Sequence, residues 1–352
     1  MATSLEVRGL TVELPTPAGW VRPVNDVSFT LGEGETLGIV GESGSGKTML
    51  SLALMGLEPH GARHSGEAWL NSRGGVGSGD GNGNGGNGSS ASGAQTGAQS
   101  GGRAARENLL EISQNEMREL RGREIAMIFQ EPMTALNPVL RIGAQIEEAI
   151  RVHEPRASDS EIHRRALEAL ERAALSDPAR RARQYPHQLS GGLRQRVMIA
   201  MALAAGPGVL IADEPTTALD VTVQKQILEL LAKLRRELRL SMLFITHDLG
   251  VVAQVAGRVA VMYAGRIVEE GPVEEVLRAP RHPYTEGLLR AAPRLTREKL
   301  VPIPGAVPSL DALPPGCAFA PRCPHRVAEC DAAMPELRAV NKNHAARCIL
   351  VR

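Results

Sequence analysis

A chain of 352 residues is longer than one average domain and long enough for a large core with an appendage. Its 40 basic and 39 acidic residues leave a formal net charge of +1, which argues against a broad nucleic-acid footprint and leaves room only for a local patch. Hydrophobic content of 43% and charged content of 22% are those of an ordinary folded chain, and aromatics at 3% leave the core to Leu, Val, Ile, Ala and Met.

Met1 to Leu14 lacks a basic segment leading into an apolar run, so no signal peptide is expected. Leu5 to Leu14 and Val24 to Leu31 read as strands, and the apolar run Thr36 to Val40 enters a glycine-rich turn at Gly41. Gly46 to Leu57 has helical periodicity. Gly74 to Gly102 holds 13 of the 37 glycines; it buries too little apolar surface to offset its ordering entropy, so residues 72–106 are expected to form a disordered insertion. A fold tolerates such an insertion if both its ends leave one surface hairpin.

Glu124 to Phe129, Val209 to Asp213 and Met242 to Thr246 read as central strands with helical segments between them. That alternation predicts an α/β fold with a mostly parallel sheet. Ile142, Ile146 and Ile150 open an amphipathic pattern from Arg141 to Leu175, the start of a helical subdomain over about residues 141–200. The longest apolar run, Val197 to Ala205, suits a buried helix and is about half what a membrane helix needs. Membrane association is therefore expected only through partners. Beyond about Gly271 prolines multiply and periodicity weakens, which divides a 1–270 domain from a 271–352 C-terminal extension.

Gly41-Glu42-Ser43-Gly44-Ser45-Gly46-Lys47-Thr48 fits the phosphate-loop pattern, between a strand and a helix. Small residues let successive backbone N–H groups curl around a β-phosphate, where the helix N-terminus adds its positive pole. Lys47 is expected to reach the β- and γ-phosphates of ATP, and the Thr48 hydroxyl to ligate Mg²⁺. Two acids end the next central strand, at the sheet edge where ligands bind: Asp213 is expected in the Mg²⁺ shell and Glu214 as general base toward the attacking water. His247 ends the following strand and is expected to hydrogen-bond the γ-phosphate and orient that water.

Leu189-Ser190-Gly191-Gly192-Leu193-Arg194-Gln195 resembles the signature of the ABC ATPases. The resemblance implies the P-loop ABC-type core, with an antiparallel β subdomain and an inserted helical subdomain. Its Ser and two Gly at a helix start make a second anion site. In that family this site closes on the ATP of an opposing subunit, which implies that Ser190, Gly191 and Gly192 serve a partner's nucleotide. Leu193 departs from the family's usual Gln and leaves Ser190 and Gly192 intact. Gln130 matches the family's Q-loop, beside the Mg²⁺ and the water, and Asp220 in Ala218-Leu219-Asp220 matches the D-loop at the dimer interface. Trp20 is a candidate to stack on adenine.

Phe129-Gln130-Glu131-Pro132-Met133-Thr134-Ala135-Leu136-Asn137-Pro138, His282-Pro283-Tyr284-Thr285 and Ile303-Pro304-Gly305-Ala306-Val307-Pro308-Ser309-Leu310 are similar to hallmarks of the dipeptide/oligopeptide importer ATPases. The resemblance implies peptide import at the cytoplasmic face of a bacterial membrane. It also implies a second ATPase subunit, two permease subunits and, indirectly, an extracytoplasmic solute-binding protein. Nickel and glutathione importers share these features. A soluble ABC ATPase acting on nucleic acid predicts coiled coils, zinc modules or a basic arm, none of which is found. A non-hydrolysing partner predicts a degenerate site, whereas Glu214, His247 and Ser190 are all present.

Cys317, Cys323, Cys330 and Cys348 fall in the last 36 residues, with five, six and seventeen residues between them. A reducing cytosol disfavours disulfides. Zinc sites prefer tighter pairs, although His325 and His344 are available to complete one. Four thiolates without a close pair suit a 4Fe-4S cluster, which members of the resembled group carry. Zinc and uncoordinated thiols stay open beside it.

Overall fold

The computed structural model describes residues 2–17, 19–71, 106–291 and 302–351. In chain order the strands are β1 Thr3–Thr16, β2 Gly19–Gly32, β3 Thr36–Val40, β4 Arg63–Asn71, β5 Arg106–Asn108 and β6 Ile125–Ile128. They continue with β7 Val209–Asp213, β8 Ser241–Thr246, β9 Arg258–Tyr263, β10 Arg266–Pro272, β11 Arg338–Ala339 and β12 Ala345–Ala346.

An antiparallel sheet runs in the order β2-β1-β4-β5, and a larger sheet in the order β11-β12-β10-β9-β3-β8-β7-β6. The stretch from β9 to β6 is parallel throughout, and β10, β12 and β11 continue it antiparallel. The α/β expectation is met.

The parallel strands are apolar at nearly every position because both their faces are covered. Leu37, Ile39, Ile211 and Ile245 pack toward β1, β2 and Leu50 and Leu54 of the Lys47–Leu54 helix. The alternate residues Val40, Leu210, Ala212 and Phe244 pack toward Ile227, Leu231 and Leu234 of the Val221–Leu238 helix. Each Val, Leu, Ile or Phe among them contributes about 1.5–3 kcal/mol of burial. The register pairs Val40 with Thr246 and Asp213 with Ile245, so β3, β7 and β8 end level. That level edge brings Gly41, Asp213, Glu214 and His247 together.

The helical subdomain has its own core of Ile142, Ile146, Ile150, Ile162, Ala166, Leu170 and Val197. The expected pattern from Arg141 to Leu175 resolves into two helices, Ile142–Arg151 and Asp159–Arg172. Pro155 lies between them, where it removes a backbone donor and disfavours helix at Glu154. Ser158 restarts the chain, its hydroxyl accepting from Glu161 N at 3.3 Å. The helix expected to run to Leu57 ends at Leu54, because Gly56 turns left-handed (φ 59°). Its N–H reaches Ala53 O while Leu57 N–H reaches Leu52 O, the paired bonds of a Schellman stop.

Of residues 72–106, expected to be disordered, 72–105 lie outside the described residues, and Arg106 instead opens β5 because its backbone pairs with Asn71 of β4. Asn71 pairs with Arg106, so the chain leaves and re-enters at one antiparallel pair. The 270/271 division falls inside β10, and the extension contributes to the main sheet through Glu269↔Ala346 and Glu270↔Ala345. Tyr284, Ala318 and Phe319 share the apolar cluster that holds Phe244 and Tyr263.

Candidate functional site

Gly41 to Thr48 leads from the end of β3 into the Lys47–Leu54 helix. Its glycines are required by geometry. Gly46 has φ 103°, and a Cβ there would lie 1.9 Å from Pro23 O; a Cβ on Gly41 would lie 2.1 Å from Met262 O. Lys47, buried, folds back across the loop, donating to Gly41 O at 2.7 Å, Glu42 O at 2.9 Å and Ser45 Oγ at 3.3 Å. Burial lowers its pKa against the opposing pull of Glu214, Asp213 and Glu42. The ammonium thus holds the cradle's own carbonyls and is placed to exchange them for anionic oxygens. Ser43, Gly44 and Thr48 line the exposed side of the loop, and Ser45 is buried within it.

Asp213 closes β7 and is buried. Neither carboxylate oxygen finds a hydrogen bond of ordinary geometry among the described residues. Burial lifts its pKa to about 6, while the nearby Thr48 hydroxyl pulls it down, the Glu214 charge adds to the rise and Lys47 opposes it. An unsatisfied buried carboxylate beside the Thr48 hydroxyl and Lys47 of the phosphate loop fits a hard divalent cation such as Mg²⁺.

Glu214 sits on a strained backbone (φ 45°) directly after β7. Thr217 Oγ1 donates to its Oε2 at 2.7 Å, Gln130 Nε2 donates to the same oxygen at 3.3 Å, and His247 Nδ1 lies 3.3 Å from it. Three residues expected at the site, Gln130, Glu214 and His247, are therefore brought together on one atom. Thr217 was not legible as a site residue. Its only signal is its place three positions after Glu214, in the turn where Thr217 N–H reaches Glu214 O. Glu42 is held by groups from far along the chain: its N–H donates to Tyr284 Oη at 2.8 Å, and its carboxylate pairs with Arg322 at 2.6 Å.

Ser190 caps the Gly191–Leu203 helix, its hydroxyl accepting from Leu193 N at 3.4 Å. Ser190 and Gly191 are exposed. A Cβ on Gly192 would lie 2.7 Å from Val223 Cγ1, so glycine lets this helix start pack against the next helix start. Asp220 caps that next helix, accepting from Val223 N at 3.0 Å. Within one chain the signature is thus brought to Asp220. Among the described residues no hydrogen bond or ion pair joins Ser190 to the Lys47 loop. Trp20 is half-exposed near the tip of the β1–β2 hairpin, and the Arg63 guanidinium covers one face of its ring at 4.0 Å.

Cys317, Cys323, Cys330 and Cys348 all border one cavity, with His282, Phe319 and His325. All four are free thiols. Burial pushes the Cys317, Cys323 and Cys348 thiols up, and the neighbouring Cys330 adds to each rise. Among the described residues no group of three or more His, Cys, Asp or Glu is placed to hold a metal ion. Four cysteines around one cavity are the residue type and number that an iron–sulfur cluster uses.

The family described as ABC transporter matches residues 24–78 and 90–217, and the family described as the C-terminal region of oligopeptide/dipeptide transporters matches residues 268–330. A Brucella melitensis protein, named as a peptide import ATP-binding protein, is 50% identical over 98% of this chain and 96% of its own length. A Brucella abortus protein named likewise is 47% identical over 99% of this chain and 95% of its own. Among solved structures, the ATP-binding cassette MJ0796, a dimer in a post-hydrolysis state with ADP and Pi, is similar at a TM-score of 0.59. It has 27% identity and covers 76% of this chain and 98% of its own. The cbiO1 subunit from Clostridium perfringens shares the fold at 0.58, with 23% identity over 79% of this chain and 92% of its own.

Proposed function

Because this chain belongs to the ABC transporter family of ATP-binding proteins, we propose that it is the ATP-hydrolysing subunit of an importer for dipeptides or oligopeptides. The convergence of Gln130, Thr217 and His247 on Glu214 Oε2, at the same sheet edge as Lys47, carries the reading.

The backbone amides of Gly41 to Thr48 grip the β-phosphate while Lys47 leaves the Gly41 and Glu42 carbonyls for the β- and γ-oxygens. Thr48, with Asp213 and Gln130 beside it, would hold Mg²⁺, which neutralises charge on the phosphate oxygens. Glu214 takes the proton of the attacking water as general base, and Thr217 and Gln130 hold the oxygen that does so. His247 bridges that carboxylate and the γ-phosphate. Ser190 and Gly191, exposed at a helix start, and the half-buried Gly192, with Asp220 beside them, cover the nucleotide of a second ATPase subunit, identical or paralogous. Trp20 offers its remaining ring face to adenine.

Two permease subunits are the membrane partners, with a solute-binding protein acting through them on the far side. Phe129, Met133, Val139 and Leu140, exposed apolar residues on the loop after β6 and the approach to the helical subdomain, support that docking. No helix among the described residues is long and apolar enough to cross a membrane, in keeping with a peripheral subunit at the cytoplasmic face. The four cysteines would hold a 4Fe-4S cluster, which would staple the sparsely structured tail. Iron and acid-labile sulfide in anaerobically purified protein test that assignment; zinc instead, or no metal, overturns it.

The transport reading is tested by reconstituting the complex in proteoliposomes and following ATP-driven uptake of labelled dipeptides and longer peptides. Peptide uptake that requires Glu214 is the expected result. Uptake of nickel or glutathione with no peptide transport would overturn the solute.

A further inference from the structure

We propose that Arg322 is a positioning residue of the nucleotide site, through which the C-terminal extension holds the phosphate loop and neutralises its one acid. The proposal rests on the reading of Gly41 to Thr48 as a triphosphate cradle.

A carboxylate at the second position of a loop that receives a polyanion opposes its ligand electrostatically. Glu42 is that carboxylate, and its partner comes from 280 positions along the chain. Arg322 binds it with both arms, Nη1 to Oε2 at 2.6 Å and Nη2 to Oε1 at 3.1 Å. The Arg322 side chain is 4% exposed against 30% for Glu42, so the pair is partly dry and weakly screened.

The guanidinium is itself fixed from several sides. Nε donates to Pro304 O at 2.9 Å and Nη1 to Tyr263 Oη at 3.4 Å, and the head lies 5.9 Å from the Tyr263 and Phe319 ring centres. Tyr263, Tyr284 and Phe319 pack on one another with centroids 4.5 to 5.4 Å apart. From that stack Tyr284 Oη accepts the Glu42 N–H. The Ala320–Arg322 turn that presents the arginine is bounded by Cys317 and Cys323, with Ala320 N–H on Cys317 O and Cys323 N–H on Ala320 O.

Every polar group of Glu42 is thus engaged. Its carbonyl accepts from Lys47 Nζ and from Ser45 N, its N–H goes to Tyr284 and its carboxylate to Arg322. When Lys47 turns to a phosphate its bond to the Glu42 carbonyl is given up, while the anchors from residues 284 and 322 remain. Arg322 therefore acts on nucleotide affinity. It makes no contact with Glu214, Thr217 or His247 among the described residues, so the hydrolytic step at saturation does not depend on it.

The test is equilibrium binding of a fluorescent ATP analogue, displaced by ATP, together with steady-state hydrolysis by the full chain. Arg322→Met keeps an unbranched apolar side chain in that place while removing the charge. It is expected to raise Kd and KM for ATP roughly tenfold with kcat within about twofold, the signature of lost binding rather than lost chemistry. Arg322→Lys, which keeps a point charge but not the fork, should fall between. The double variant Glu42→Gln with Arg322→Met should regain most of the affinity, because the uncompensated charge is gone. ATP affinity unchanged in Arg322→Met, or a double variant no better than the single, overturns the proposal and leaves Arg322 a packing residue. Lys47→Ala is the control: if it also binds ATP normally, the reading of the loop fails; if it loses ATP while Arg322→Met does not, only this proposal fails.

Discussion

Thr217 Oγ1 donates to Glu214 Oε2 at 2.7 Å, which fixes the carboxylate that faces the phosphate loop from a position three residues further on. Thr217→Val keeps the shape and removes the donor. Such a bond is worth about 1 kcal/mol in orientation, so kcat should fall roughly 5- to 10-fold with KM for ATP nearly unchanged. Steady-state kinetics check this; an altered KM with intact kcat would place Thr217 in binding instead.

Gly46→Ala should disable the cradle. The position has φ 103° and its new Cβ would meet Pro23 O at 1.9 Å, a backbone atom with no rotamer to escape into. Left-handed strain alone costs about 1–3 kcal/mol, and relief of the clash moves the amides that grip phosphate. A lower melting temperature and loss of ATP binding are expected; a variant that binds ATP with wild-type affinity would show that the loop does not need this conformation.

Ile146→Ala opens a cavity in the separate core of the helical subdomain, where Ile142, Ile150, Ile162 and Leu170 surround it. A loss of about 2–5 kcal/mol is expected by denaturant titration. If that subdomain carries the coupling to the permeases, transport should fall more than basal hydrolysis. Equal losses of both would point to general unfolding.

His282 links stability to pH. Its ring is buried against Phe319, Tyr284 N donates to its Nδ1 at 3.1 Å, and its backbone N–H donates to Glu269 Oε2 at 2.9 Å. The four cysteines border the same cavity. Burial lowers its pKa from 6.5 to about 3, and Arg347 pushes the same way. The folded chain therefore refuses a proton that the unfolded chain accepts. Its contribution to stability is complete above about pH 6.5 and is lost progressively as pH falls toward 3. Urea midpoints at about pH 7.5 and about pH 5 should differ more for the wild type than for His282→Gln; equal slopes would remove His282 as the cause.

Local chemistry made much of this site readable. The phosphate loop has a spacing that backbone geometry demands, and β3, β7 and β8 were visible as short apolar runs bounded by Gly41, Asp213 with Glu214, and His247. Their meeting at one edge follows from parallel pairing, which the strand–helix alternation already implied. Partners distant in sequence were not readable. Nothing near Arg322 indicates that it pairs with Glu42, because the contact is made by packing the extension on β10 and on the Tyr263 ring. His282-Pro283-Tyr284-Thr285 and Ile303-Pro304 were visible as hallmarks without a role; the structure gives Tyr284 the Glu42 N–H and Pro304 O the Arg322 Nε. The boundary at 270/271 rested on weakening periodicity, which does not register a strand that continues to Pro272 and is then joined by Ala345 and Ala346.

Glu214→Gln, purified with its permease partners, tests the centre of the account most directly. The substitution keeps the side chain's size and its acceptor oxygen while removing the base. Binding of Mg-ATP should persist, and hydrolysis should fall by roughly 10²- to 10⁴-fold. Hydrolysis at the wild-type rate would contradict the account, because the oxygen on which Gln130, Thr217 and His247 converge would then have no part in activating water.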